Sequence, residues 1–130
     1  MNIEVEKILN IFEDKIPEYF DHKKSVRSSQ VQMALDIAEF LHSSSRNIMF
    51  IEAPVGTGKS LGVLAPSFMY GTKYRKTINY ATSTINLQNQ IYESDSVLLE
   101  QIGLIDNTEK IFALGKSNYI CKTALIYRGL

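Results

Sequence analysis

With 45% hydrophobic and 22% charged residues, a chain of 130 residues holds apolar material for one core and not for two. Lys plus Arg and Asp plus Glu balance at 14 each, so overall charge neither predicts a nucleic-acid partner nor excludes one, and local patches must decide. The single cysteine excludes an internal disulfide framework and fits a reducing, cytoplasmic setting; the mixed acidic and apolar start, Met1 to Glu6, is not a secretory signal, and no apolar run reaches the roughly 20 residues that span a bilayer.

Val5, Ile8, Leu9, Phe12 and Ile16 recur at helical spacing and predict an amphipathic helix closed by Pro17. A polar loop with Lys23, Lys24 and Arg27 follows. Ser28 or Ser29 can cap a second helix carrying Met33, Ile37, Phe40 and Leu41, which ends near Ser43 in the short polar turn Ser43 to Ser45. The apolar run Ile48–Ile51 predicts a buried strand, and a glycine-bearing loop leads from it into a helix over about Lys59–Tyr70, bent or shortened by Pro66. A basic loop, Gly71–Lys76, leads to a second strand, Thr77–Ala81. The stretch from Tyr70 to Lys76 interleaves aromatics with bases, which can suit a single strand of nucleic acid, though a solvated loop is the better reading. Thr82–Thr84 opens a long helix with Leu87, Ile91, Leu98 and Ile102 on its apolar side and Gly103 at its end. Lys110–Leu114 predicts a third strand, Gly115–Tyr119 a turn, and Cys121–Tyr127 a further helix. The alternation predicts an α/β fold with a parallel sheet and right-handed crossovers.

The loop carries the chemistry. Ala53-Pro54-Val55-Gly56-Thr57-Gly58-Lys59-Ser60 follows the pattern G-x-x-x-x-G-K-[ST], with Ala at the first position. Gly56 and Gly58 free the backbone so that several N–H groups can point inward, and Thr57 shapes the turn. These donors stand at a helix N-terminus, where the macrodipole also favours an anion. Lys59 supplies charge for the outer phosphates of ATP, and the Ser60 hydroxyl suits Mg²⁺.

Four segments together carry a resemblance. Glu52 to Ser60 resembles the nucleotide loop of superfamily 2 helicases. Arg27-Ser28-Ser29-Gln30-Val31-Gln32-Met33 resembles the R-x-x-Q-x-x-M start of the XPD/DinG-type iron–sulfur helicases. Ala81 to Gln90 resembles their motif Ia, with its T-x-T-x-x-L-x-x-Q core, and Gly115 to Cys121 their G-[KR]-x-N-Y-x-C element. The resemblance covers roughly residues 25 to 121. It implies a partial RecA-like P-loop domain: leading helices over 1–44, a βαβαβ portion with about three parallel strands over 46–115, and the start of an iron–sulfur region over 116–130. It implies that Lys59 and Ser60 act on the phosphates, that Pro54, Val55, Gly56, Thr57, Gly58 and Leu61 complete the ATP site, and that Gln30 reads the adenine edge. Thr82, Thr84 and Gln88 would face single-stranded DNA. Thr84 also suits plain N-capping, and the two roles can coexist. Cys121 matches one of four cysteines that hold a [4Fe–4S] cluster, but with no second cysteine this chain cannot build the cluster alone.

ATP hydrolysis also needs an acid to hold Mg²⁺ and position water, which the family takes from D-E-x-H. No Asp-Glu dipeptide occurs here. Asp106 follows a helix without a full apolar strand before it, and Glu52 sits too close to the loop. No arginine finger or second motor domain is evident. His22 and His42 have no acid or Cys at ligand spacing. The chain therefore reads as the N-terminal part of an ATP-dependent 5′-to-3′ DNA helicase, able to hold ATP and unable to hydrolyse it efficiently. A stand-alone nucleotide- or partner-binding module is the alternative, and a small nucleotide kinase a more distant one. Unpaired edges of a partial sheet would promote self-association.

Overall fold

The computed structural model describes residues 3–43, 45–106 and 110–127, apart from the side chain of residue 124. The middle of the Ser43–Ser45 turn and the extreme ends of the first and last segments lie outside the described residues.

The first helical run is α1 (Ile3–Leu9), a π-helical stretch (Asn10–Lys15) and α2 (Ile16–Tyr19). Pro17 does not close it. Proline sits in the first turn of α2, where its missing N–H costs least. The run ends at Tyr19, and in the turn that follows Asp21 and His22 take left-handed conformations (φ +50° and +57°) and the His22 N–H reaches the Pro17 carbonyl at 2.8 Å. Helix α3 spans Ser28–Ser43, as the apolar spacing predicts. Helix α4 spans Lys59–Tyr74, so neither Pro66 nor Gly71 shortens it; it stops at Arg75, which is left-handed. Helix α5 (Ile85–Gln90), a π-helical stretch (Ile91–Asp95) and α6 (Ser96–Gln101) make the second long run, which Gly103 ends at φ +80°. A 3₁₀ turn (Lys116–Asn118) and α7 (Lys122–Tyr127) follow.

The α/β prediction fails. Among the described residues there is no strand and no sheet, so the molecule is helical rather than a RecA-like parallel sheet. The predicted strands at 47–51, 77–81 and 110–114 are irregular segments. An apolar run states only that a segment can be buried, whereas a parallel ladder needs partner backbones that the run cannot supply. Here the runs find other partners or none. Phe50 is 95% exposed. Ile78 lies against Gly71 of α4, within 3.0 Å of where a Cβ would stand. In the third segment, Gln88 of α5 donates to the Ala113 carbonyl, Phe112 rests on the Tyr92 ring at 5.0 Å, and Lys110 pairs with Glu100. Without a sheet, the exposed edges expected to drive self-association are absent from the described residues as well.

The core is made by helices. Ile8, Ile11, Phe12, Val31, Ala34, Ala38, Leu64, Ala65, Met69, Leu98 and Leu99 form one buried cluster, drawn from all four long helical pieces. Helices α3 and α4 make the most extensive contact. Gly62 permits that approach: a Cβ there would strike the Met33 Cε and come within 3.5 Å of the Gln30 carbonyl. At the far end of α4, Lys73 pairs with Glu4 of α1, and His42 of α3 packs edge-on to Tyr70 at 5.4 Å. Tyr70–Tyr74 is thus helix, not the basic loop of the sequence reading.

This cluster sets an acid limit. Burial holds the His42 imidazole below its ordinary range, against the attraction of Glu4, and the Lys73 hydrogen bond holds the Glu4 carboxyl below its own. Below about pH 6.5 the unfolded histidine takes up a proton that the folded one resists. Stability therefore falls as pH drops through that range, and again as Glu4 titrates. Thermal melts of wild type and His42→Gln between about pH 7 and pH 5 are expected to show the wild-type slope flattened in the variant. Parallel slopes would contradict the assignment.

Candidate nucleotide site

Within the 53–60 segment the non-helical backbone ends at Gly58, which is left-handed (φ +80°) and precedes α4 at its N-cap position without any side-chain cap. The first intrahelical bond is Gly62 N–H to the Gly58 carbonyl at 3.2 Å. The N–H groups of the opening turn therefore stand at a bare helix N-terminus, the arrangement that favours an anion. Gly56 is also left-handed, at φ +86°. Thr57 is buried, and its hydroxyl donates to the Pro54 carbonyl at 2.8 Å, closing the turn.

Two side chains brace the loop from α3 and the segment before it. Arg27 Nη1 donates to the Gly56 carbonyl at 2.8 Å, and Gln30 Nε2 donates to the Gly58 carbonyl at 2.8 Å. These bonds hold both carbonyls toward α3. Gly58 is needed twice over: its backbone is left-handed, and a Cβ there would strike the Gln30 amide. Gln30 is thus buried against the loop, with one donor already engaged.

Lys59 and Ser60, with Val55, Gly56, Gly58 and Leu61, line a cavity of about 640 Å³. Phe12, Ile16 and Phe20 supply an apolar wall, and Lys24, Arg27 and Gln30 a polar rim. Lys24 Nζ lies 3.9 Å from the Phe20 ring centroid. Val55 is 99% exposed. Of the expected nucleotide residues, Pro54 and Thr57 do not line the cavity and instead shape the loop.

Sequence reasoning missed Asp95. It lines this cavity from the other long helical run, as Ser60 does from the start of α4. Burial pushes the Asp95 carboxyl above the usual carboxylate range, against a smaller opposing pull from the nearby Ser60 side chain. The signal was present: Ile91, Asp95, Leu98 and Ile102 follow the i, i+4, i+7, i+11 spacing of a buried stripe, so an acid stands where an apolar residue is expected.

The residues expected to meet DNA are engaged within the chain. Thr84 Oγ1 accepts from the Leu87 N–H at 3.3 Å, so it caps α5. Thr82 Oγ1 donates to the Thr84 carbonyl at 3.0 Å, and Gln88 holds Ala113. Thr82 and Gln88 line a separate cavity of about 150 Å³ with Tyr80 and Lys110. Cys121 is exposed and free. No group of three or more His, Cys, Asp or Glu residues that could hold a metal occurs among the described residues.

Sequence comparison bears on this site. The chain is 40% identical over 112 residues to a probable ATP-dependent helicase of Methanocaldococcus jannaschii, and 33% identical over 109 residues to the ATP-dependent DNA helicase DinG of Escherichia coli and to that of Salmonella typhimurium. The chain is a relative of the DinG-type ATP-dependent helicases. These matches cover 84% to 86% of this chain, which spans only 14% to 16% of the length of those relatives. No protein-family model and no solved structure matches it. No helix among the described residues is long and apolar enough to cross a membrane.

Proposed function

We propose that this chain is the nucleotide-binding part of an ATP-driven DNA helicase, and that the 53–60 loop binds the phosphates of ATP. The observation that carries the reading is the uncapped start of α4, placed beside Lys59 and Ser60 in a cavity large enough for a nucleotide. The kinship with DinG-type helicases supports it. In this reading Lys59 neutralises the outer phosphates, and Gln30 ties the loop to α3 while its remaining amide donor and carbonyl face the base. Thr82, Thr84 and Gln88 form the side that meets single-stranded DNA in the whole protein, whose movement runs 5′ to 3′. Hydrolysis in this chain is inefficient, since a single carboxylate beside the loop does not also supply a water-positioning acid and an arginine finger.

When bound, Mg²⁺ would neutralise phosphate charge. The Ser60 hydroxyl and the Asp95 carboxylate are hard oxygen donors of the type it takes. A [4Fe–4S] cluster does not fit these residues, because Cys121 is the one cysteine of the chain and four thiolates are needed. We assign no step to such a cluster here.

A phosphate-driven site discriminates by charge. Calorimetric titration is expected to show ATP binding at least about tenfold tighter than adenosine, a difference of about 1.4 kcal/mol. Equal affinities would place the recognition elsewhere.

A further inference from the structure

We infer that a second cavity, at the C-terminal end of α4, binds a small organic dianion with a charged head and an apolar body. This cavity of about 390 Å³ shares no lining residue with the one beside the 53–60 loop, so the inference stands apart from the nucleotide reading.

Charge is unbalanced there. Lys7, Lys15 and Lys73 line the cavity, and Glu4 is the one acid that does. Glu4 is taken by Lys73. Lys7 and Lys15 make no ion pair among the described residues, and Lys15 reaches only the Ile102 carbonyl, at 3.4 Å. Two lysine charges are therefore unopposed. Their field extends inward: burial first, and then the charges of Lys73 and Lys7, oppose protonation of His42 against the pull of Glu4.

His42 supplies a second observation. Its side chain is 6% exposed, it lines the cavity, and its Nε2 is buried without a hydrogen-bond partner. Nδ1 lies 3.4 Å from the Tyr74 hydroxyl. With that hydroxyl donating to Nδ1, the neutral ring carries its proton on Nε2, as a donor that lacks an acceptor. A buried donor in that state is costly, and an anionic oxygen removes the cost.

The rest of the wall is apolar, from Ile11, Met69, Ile102 and Leu104. An apolar lining with a few convergent polar groups, in about 300–1,000 Å³, is the usual make-up of a small-molecule site. The π-helical stretch Asn10–Lys15 brings Asn10, Ile11 and Lys15 to the lining, and such stretches are frequent at functional sites. Two unopposed lysines call for two negative charges, and the apolar wall for a hydrocarbon body. A nucleic-acid backbone offers one charge per phosphate and no such body.

Phenyl phosphate, a dianion above about pH 7, is the probe. The chain has two histidines, so proton NMR reads His42 in the cavity beside His22 as an exposed control. Phenyl phosphate at up to about 10 mM is expected to shift the His42 ring signals to saturation and leave those of His22 in place. Phenol and inorganic phosphate, each supplying half of the match, are expected to bind about tenfold more weakly or worse. The double variant Lys7→Gln, Lys15→Gln replaces two exposed side chains and is expected to bind phenyl phosphate about tenfold more weakly. An unshifted His42, or equal affinity in a double variant with a native melt, would overturn the inference. So would phenol or inorganic phosphate binding as well as the probe, a comparison that needs no variant. A 5′-phosphorylated oligonucleotide that displaced the probe at lower concentration would also overturn it and make this face a nucleic-acid contact. If ATP failed to bind while phenyl phosphate still shifted His42, the nucleotide reading would fall and this inference would stand.

Discussion

Replacing Leu64 by alanine is expected to cost about 3 kcal/mol of folding stability or more. Leu64 is 1% exposed and sits in the middle of α4, inside the cluster that joins α1, α3, α4 and α6. Its loss removes buried apolar area and leaves a cavity that close-packed helices cannot readily collapse. Small domains are marginally stable, so the loss is a large share of the total. Urea melts of Leu64→Ala beside Val55→Ala give a direct contrast. Val55 is 99% exposed and its truncation is expected to change stability by less than about 0.5 kcal/mol. If the two variants melted alike, the helical core described here would be wrong.

The second large effect belongs to Gly58. In Gly58→Ala the added methyl meets the Gln30 amide, at a backbone conformation that side chains resist. A left-handed non-glycine residue costs on the order of 1 kcal/mol or more, and the clash adds to it. The loop cannot keep both its turn and its bond to Gln30. Gly58→Ala is therefore expected to lose ATP affinity by at least about tenfold while the helical core persists. Retained affinity would mean that the loop geometry does not govern binding. Gly56→Ala separates the two causes, because Gly56 shares the left-handed backbone but has nothing within 4 Å of a Cβ. Its effect is expected to be the smaller one.

Local signals were legible and non-local ones were not. Helix α3 could be read from its stripe of Met33 and Ile37. The start of α4 at Lys59 and the stop at Gly103 follow from glycine placement. The sheet could not be read, because Ile48–Ile51 and Lys110–Leu114 have strand-like composition but no partner backbone; the Ala113 carbonyl is taken by the Gln88 side chain instead. Pro17 misled for a related reason. Proline ends a helix it falls within, but not one whose first turn it occupies, and a π-helical stretch before it resets the count.

The candidate site divides the same way. Its loop is contiguous in sequence, so Gly56, Gly58, Lys59 and Ser60 announce themselves. Arg27 and Gln30 come from a segment about thirty residues earlier, and only the resemblance to helicases marked them before the contacts to Gly56 and Gly58 were visible. Asp95 has no motif around it. Its one mark is an acid on an otherwise apolar stripe, which becomes meaningful when α4 and the second helical run are packed together.

The central claim is that the 53–60 loop holds the phosphates of ATP. Mg·ATP affinity of wild type and Lys59→Ala, compared by calorimetry on chains with matching melts, tests it most directly. Lys59 is exposed at the start of α4 and contributes nothing to the core, so its removal should spare folding. The account predicts at least about tenfold weaker binding in Lys59→Ala, because a charge-assisted contact to phosphate is worth roughly 1.5–3 kcal/mol. Equal affinity in the two proteins would contradict it.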